Sequence, residues 1–275
     1  MRIVSNTALA LAAALAVVAW RPGVAAAQAP DTMTKRVART GGAIDSGAMN
    51  ALNRMGVYLR TLQAFQVKGR ITSEEVLPTG EKIQFGSDVD LVAERPNKLR
   101  ADVNSDREHR LFIYDGKTFT LYAPRAEYYA TAPAPATIND LANRLEDKFN
   151  INLPFVDLFR WGTPEADPVE ITSAADVGPS MIEGVTCQHY AFRQRGLDWQ
   201  IWIQNGEFPL PRKLVLTTTT DDARPQHVSV YTWNLAPSVN AAAYAFQPPK
   251  DAKKITFAEV GVGKTAAKAV KETGR

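Results

Sequence analysis

Alternation between apolar and polar residues runs through most of this chain and constrains its fold more than any other feature. Phe65, Val67 and Ile71 alternate with polar neighbours, and the pattern resumes after the turn Pro78-Thr79-Gly80. A period of two predicts strands that bury one face, and the short turn predicts a long hairpin. Further strands are predicted at 99–103, 111–114, 119–121, from about 169, 185–193, 199–203, 213–220, 228–235 and 244–246. The pattern indicates an antiparallel meander of about 11 strands.

Only short stretches of the chain have helical spacing. Met49, Leu52, Met55, Leu59 and Leu62 predict one amphipathic helix before the first strand. The stretch from 137 to 149 predicts a second helix that begins with a capping box, and the apolar segment 153–161 follows it. Because so few helices are available to cover a long sheet, the sheet must curve on itself. The fold class is mainly β (α+β), a barrel or half-barrel capped by the mid-chain helices, an architecture that commonly hosts an apolar ligand. Either a hollow interior or an interior filled by side chains fits this periodicity.

The first 27 residues resemble a secretory signal peptide. Arg2 precedes an uncharged apolar run of about 13 residues, too short to cross a bilayer. Ala-x-Ala sequences end at Ala27 and Ala29, where we expect cleavage. The predicted organisation is then a signal peptide at 1–27, a flexible leader at 28–47, one folded domain at 48–257 with a lid insert at about 133–168, and a basic tail at 258–275. The mature chain is expected to be exported and to contain no membrane span.

Composition excludes several classes of protein. The 32 basic and 29 acidic residues nearly balance, so a nucleic-acid partner is not expected. A single cysteine excludes an intramolecular disulfide and a Cys₄ zinc site, and the three histidines are not at metal-site spacing. No metal or other cofactor is expected.

Three segments together resemble the LolA-like family of bacterial periplasmic lipoprotein carriers. They are Asp90–Asn97, which ends in Arg-Pro-Asn, Asp115–Pro124, which opens with Asp-Gly-Lys-Thr, and Ala242–Pro249, which ends in Pro-Pro. Their order and spacing fit the family from about Ala48 to Thr256. The chain looks most similar to an uncharacterised group of predicted periplasmic proteins with this fold.

The resemblance implies an open antiparallel half-barrel with an N-terminal helix and a helical lid over an apolar interior. It also implies that Arg95 holds the lid down by bonding lid backbone, while the segment after 133 is longer than the family's lid. The lid residues singled out are Leu141, Leu145, Phe149, Phe155, Phe159 and Trp161. The candidate lining residues on the apolar face of the strands are Phe65, Val67, Ile83, Phe85, Val89, Leu91, Leu99, Phe119, Leu121, Trp199, Ile201 and Ile203.

Catalytic interpretations are weak. Cys187 and His189 project in parallel from one strand face, and no carboxylate is placed to orient the histidine, so an inert pair is favoured over a nucleophile. The segment Gly261–Thr265 imitates a phosphate-binding loop but lacks its first glycine. The acidic pairs Glu74-Glu75 and Asp221-Asp222 fit solvated faces and turns. We therefore predict no enzyme activity.

Two hypotheses on function remain open at this point. The first is a periplasmic, non-catalytic carrier that binds a lipid, an acylated protein or another apolar ligand inside a lidded half-barrel. The second is an envelope sensor or protein-interaction module with the same fold, in which the lid segment and the basic tail contact a partner protein.

Overall fold

The computed structural model describes residues 43–163 and 170–259. Helix α1, Ser46–Thr61, begins where the Asp45 carboxylate accepts the Ala48 amide at 2.7 Å. It buries Ala48, Met55 and Leu59 against the sheet, as the helical spacing predicted. The helix starts two residues inside the segment expected to be leader. The signal peptide, the first part of the leader and nearly all of the basic tail lie outside the described residues.

Within the described ranges, 12 strands form one open sheet. The predicted hairpin is present as the first two strands, which pair antiparallel over their whole length. The strands are β1 (Ala64–Val76), β2 (Lys82–Glu94), β3 (Lys98–Ser105), β4 (His109–Tyr114), β5 (Thr118–Ala123), β6 (Tyr128–Pro133), β7 (Ser173–Ile182), β8 (Val185–Gln194), β9 (Leu197–Gln204), β10 (Pro211–Thr218), β11 (Gln226–Asn234) and β12 (Lys253–Ile255).

The sheet is built from two antiparallel meanders that meet at β1. The strand order is β12-β6-β5-β4-β3-β2-β1-β11-β10-β9-β8-β7, so β1 pairs with β2 on one side and with β11 on the other. Only β12 runs parallel to its neighbour, β6. The outermost strands β12 and β7 do not pair, so the sheet stays open. The predicted fold class, an open half-barrel with an N-terminal helix and a helical lid, is confirmed.

The lid follows β6 and contains two helices in the described part. Helix α2, Ile138–Phe149, starts with the predicted capping box, in which the Asp140 amide donates to Thr137 Oγ1 at 3.1 Å and the Thr137 hydroxyl donates to Asp140 Oδ2. It ends at Asn150 in the left-handed region. The short helix α3, Asp157–Arg160, lies within the apolar segment that sequence singled out. Both helices join α1 on the concave face of the sheet.

The expected strand at 244–246 is wrong. Residues Ala241–Tyr244 form a 3₁₀ turn that starts where the Asn240 side chain accepts the Ala242 amide, and the chain then crosses the outer face of the sheet. We call residues 240–252 the strap, because they run from β11 to the edge strand β12. Tyr244 and Phe246 have the alternating spacing of a strand, but this segment does not pair with the sheet. Both rings pack against the outer surface of the sheet instead. In the described chain no helix is long and apolar enough to cross a membrane.

Candidate functional site

The concave face of the sheet forms an apolar floor made of most of the predicted lining residues. Strand pairing explains this grouping, because Val67 lies opposite Leu91, and Leu91 lies opposite Ala101 on the next strand. The later meander adds Trp199, whose ring stacks on Phe192 at 4.2 Å between centroids. Leu121 packs at the margin of this core. The buried floor residues are Phe65, Val67, Val89, Leu91, Leu99, Phe119, Trp199, Ile201 and Ile203.

Two predicted lining residues lie apart from this floor. Ile83 and Phe85 have the same phase as Val89 but occupy the far end of the β1–β2 hairpin, beyond the helices. Ile83 is 38% exposed, and the Arg107 guanidinium lies 4.3 Å from the centroid of the Phe85 ring. Alternation identifies the face of a strand, but it does not show where along that face the covering layer ends.

The lid residues predicted from sequence rest on the floor. Leu141 and Leu145 of α2 are buried, and Phe159 of α3 lies 5.7 Å from the ring of Phe65. Two others lie at the lid's margin, where Phe149 meets Phe257 with ring centroids 5.0 Å apart and Trp161 is partly buried. The interior is therefore occupied by the protein's own side chains over the central strands.

Phe155 of the lid contacts the floor at the first strand and at β11. Its ring meets Tyr231 edge-on at 5.0 Å and lies over Gly69 of β1. A Cβ atom at Gly69 would fall well inside contact distance of Phe155 Cζ. Phe155 itself adopts φ 54°, in the left-handed region that strains a bulky L residue. A glycine notch in the floor and a strained aromatic in the lid thus form one matched contact.

The lid also touches helix α1 through two glycines. A Cβ at Gly56 would lie 2.8 Å from the Gly162 nitrogen, and one at Gly162 would lie 2.7 Å from the Gly56 carbonyl carbon. Gly162 also has φ 75°. Since any side chain at either position would meet backbone, the end of α3 and the middle of α1 are in direct main-chain contact.

Arg95 occupies the junction of sheet, α1 and lid. Its Nη2 atom donates to the Leu59 carbonyl at 3.5 Å, and its guanidinium lies 5.4 Å from the centroid of the Phe159 ring. Burial lowers the pKa of Arg95, and its Nε atom is buried without a hydrogen-bond partner in the described chain. The backbone that Arg95 bonds therefore belongs to α1, while its contact with the lid is through an aromatic ring.

Charged side chains join the two lid helices. Arg160 donates to Glu146 Oε2 at 2.6 Å and to Asn143 Oδ1 at 3.1 Å, which links α3 to α2. Burial raises the pKa of Asp157, an effect that Arg160 opposes and Glu146 reinforces. Burial and the nearby Asp157 carboxylate also raise the pKa of the Tyr231 phenol. Ionised Asp157 is consequently disfavoured when the lid is closed.

The Cys187 and His189 pair lies on the outer face and is not arranged for catalysis. Cys187 is buried and its burial raises the thiol pKa, so the thiolate is disfavoured. His189 stacks on Trp202 at 3.9 Å and hydrogen-bonds the Gln200 side chain at 3.0 Å, while burial lowers its pKa. Among the residues that the structure covers, no group of three or more His, Cys, Asp or Glu side chains is placed to hold a metal.

Sequence reasoning did not identify the glycines or Tyr231. Gly69 follows Phe65 and Val67 in the inward phase of β1, and a glycine inside an alternating strand is a known sign of close approach by another segment. That signal was available. The approach of Tyr231 to Phe155 and the contact of Gly56 with Gly162 depend on distant segments meeting, and no local pattern predicts them.

A family model described as "Predicted periplasmic protein (DUF2092)" matches residues 48–258. This match confirms the resemblance to predicted periplasmic proteins that the three sequence segments indicated. A search of curated proteins finds no match.

Solved structures that the chain resembles include two proteins from mycobacteria. LprF from Mycobacterium bovis is 14% identical with a TM-score of 0.44, and the alignment covers 77% of this chain and 100% of LprF. Lipoprotein LppX from Mycobacterium tuberculosis is 11% identical with a TM-score of 0.44, covering 71% of this chain and 100% of LppX. A LolA superfamily protein from Nitrosomonas europaea is 9% identical with a TM-score of 0.32, covering 72% and 97% respectively.

Proposed function

The chain belongs to the DUF2092 family of predicted periplasmic proteins, and we propose that it is a non-catalytic carrier that holds an apolar ligand between its sheet and its lid. The ligand class is a lipid, or a protein through its acyl chain. The observation that carries this proposal is a continuous apolar floor covered by an insert that is attached to the sheet almost entirely by apolar contacts.

The attachments of the lid are concentrated at its start. The Ala134 amide donates to the Lys117 carbonyl at 2.8 Å, the Ile138 amide donates to the Pro96 carbonyl at 2.9 Å, and the Tyr114 hydroxyl donates to the Pro135 carbonyl. From residue 139 to 163, no hydrogen bond of the described chain joins the lid to the sheet or to α1. The lid can therefore hinge after Ile138 without breaking these hydrogen bonds. What must separate is the apolar packing, the backbone contact of Gly56 with Gly162 and the contact of Arg95 with Phe159.

A ligand chain would take the positions that lid side chains occupy in the closed form. Phe155 and Phe159 lie over the centre of the floor, where displaced rings leave a surface lined by Phe65, Val67 and Tyr231. Each buried methylene of an acyl chain gains about 0.8 kcal/mol, so a chain of several methylenes offsets the loss of one aromatic side chain of about 1.5–3 kcal/mol. Relief of the strained backbone at Phe155 favours exchange further.

Native mass spectrometry of the protein purified from its own envelope tests the proposal. We expect a lipid-sized adduct that organic extraction removes, together with binding of a fluorescent fatty acid by the extracted protein. Phe155→Ala should strengthen probe binding, and Phe208→Ala, which removes an exposed ring outside the floor, should leave it unchanged. A bare mass, combined with no probe binding by either the wild type or Phe155→Ala, would overturn the carrier proposal.

N-terminal sequencing of the same sample tests the proposed export and cleavage near Ala27 or Ala29.

A second candidate function, an envelope sensor or interaction module, is favoured by the outer face of the sheet. A trough of about 550 Å³ crosses β11, β1, β2 and β3 there and is lined by both signs of charge, including Lys68, Arg70 and Asp90. Mixed charge on a broad exposed face suits a protein surface of matching pattern. A stoichiometric protein partner that survives removal of lipid, and that dissociates when Lys68 and Arg70 are changed to Glu, would favour this function over transport.

A further inference from the structure

The outer face of the sheet contains a second cavity, separate from the lidded floor. It measures about 460 Å³ and lies between the strap and strands β3, β4 and β5. That volume is within the range of about 300–1,000 Å³ typical of small-molecule sites. The lining residues are Arg100, Leu111, Ile113, Tyr122, Ala242, Ala245, Phe246, Gln247 and Pro249.

The walls of this cavity are mainly apolar on a face where solvated residues are expected. Leu111 and Ile113 point outward from β4, opposite in phase to the floor residues Phe112 and Tyr114, yet both are buried. Phe246 of the strap packs between Tyr122 and Tyr129, with ring centroids 5.5 Å and 5.2 Å away. The strap thus covers an apolar patch of the sheet but leaves an unfilled space between itself and that patch.

One guanidinium provides the charged group of the cavity. Arg100 lies beside Ile113 across the β3–β4 pair, and its Nη1 donates to the Ala243 carbonyl of the strap at a long 3.4 Å. The nearest aspartates on the same face are already engaged, because Asp90 pairs with Lys68 at 3.6 Å and Asp102 pairs with His109 at 2.8 Å. Within the part of the chain that the structure describes, Arg100 forms no ion pair.

The strap is held so that it can admit a ligand. Between residues 241 and 249, its one hydrogen bond to the sheet in the described chain is the long one from Arg100. Its C-terminal end is firmer, since the Lys253 amide donates to the Glu127 carbonyl at 2.7 Å where β12 begins. The middle of the strap can rise while its C-terminal end stays paired with β6.

From these observations we propose that the cavity beneath the strap binds a small anionic amphiphile, with its apolar chain along Leu111, Ile113 and Phe246 and its anionic group on Arg100. The chemical class is a medium-chain carboxylate. This site is on the opposite face of the sheet from the carrier floor and does not depend on the lid.

Photocrosslinking of the full-length mature protein with a decanoate that carries a terminal diazirine locates the site. Fragment sequencing of the labelled tryptic peptides separates the two faces. Leu111 and Ile113 of peptide 111–117 line the cavity, whereas Phe112 and Tyr114 of the same peptide face the floor and the lid's inner residues lie in peptide 149–160. We expect labelling of Leu111, Ile113 or the strap that excess decanoate suppresses. Labelling confined to Phe112, Tyr114 or peptide 149–160 would place the probe under the lid and overturn the proposal, while leaving the carrier function intact.

Variants test the charge and the space separately. Arg100→Gln should weaken decanoate binding about 10- to 150-fold, because a hydrogen bond to a charged group contributes about 1.5–3 kcal/mol. It should leave decanol binding unchanged. Arg107→Gln, which alters an exposed arginine outside the cavity, is the matched control. Ala245→Trp fills the cavity from an exposed strap position and should abolish binding, whereas Ala241→Trp, outside the lining, should not. Unchanged decanoate affinity in Arg100→Gln, or in Ala245→Trp, refutes the proposed site.

Discussion

Replacing Gly69 by alanine tests whether the lid is seated by a matched contact. The added Cβ would overlap the Phe155 ring and would also lie 2.9 Å from the Val230 carbonyl oxygen on β11. The strand backbone cannot retreat, because β1 is paired on both sides. The ring of Phe155 must therefore leave the notch, and the lid segment around it must lift from the floor.

The expected cost follows from three effects. Overpacking a core costs about 1–3 kcal/mol, and withdrawing a buried phenylalanine costs about 1.5–3 kcal/mol. Release of Phe155 from its left-handed conformation returns about 1–2 kcal/mol. We expect the free energy of unfolding to fall by about 2 kcal/mol, which for a chain of this size lowers Tm by roughly 4–8 °C. Affinity for a fluorescent fatty acid should rise, because the opened lid exposes the floor.

Urea unfolding and probe titration of the wild type and four variants test this reasoning. Gly86→Ala, on the next strand, is the matched control, because a Cβ there meets nothing within 4 Å and stability should stay within about 0.5 kcal/mol. Combining Gly69→Ala with Phe155→Ala should cost much less than the sum of the single changes, since both remove one contact. Additive losses, or equal stability of Gly69→Ala and Gly86→Ala, would refute the matched contact.

Three further predictions concern charged groups. Arg95→Gln removes the donor to the Leu59 carbonyl and the cation beside Phe159. It should lower the free energy of unfolding, measured in urea, by about 1–3 kcal/mol. The control Arg107→Gln should change that free energy little. Burial raises the folded-state pKa of Asp157. The protonated carboxyl group therefore contributes stability at low pH, and this contribution is lost as pH rises through that pKa. Asp157→Asn should then have a higher Tm than the wild type at pH 7, and parallel Tm curves between pH 4 and 8 would contradict this. Burial lowers the pKa of His227, so the wild type should lose stability as pH falls below about 6.5, and His227→Gln should show a flatter Tm profile there.

The strands were predictable from local pattern because each strand buries one face and exposes the other, so its apolar and polar residues alternate. Residues such as Val67, Leu91 and Ile201 had to be apolar for one face to be buried, and the period of two appears wherever a strand is half covered. The capping box of α2 was predictable for the same reason, since a cap is made by residues three positions apart. The strap shows the limit of this approach, because Tyr244 and Phe246 alternate like a strand but have no free strand edge to join.

By itself the sequence determined most of the elements, most of the floor-facing residues and the mid-chain helices that cover them, because those depend on neighbours along the chain. Only the tertiary structure decided how far the lid reaches, that Phe155 occupies the Gly69 notch, and that Arg95 bonds α1 instead of lid backbone. It also decided that an outward-facing pair, Leu111 and Ile113, lies beneath the strap with Arg100 beside it. Each of these contacts joins segments far apart in the chain, and such contacts are set by how the layers pack, which no local pattern records.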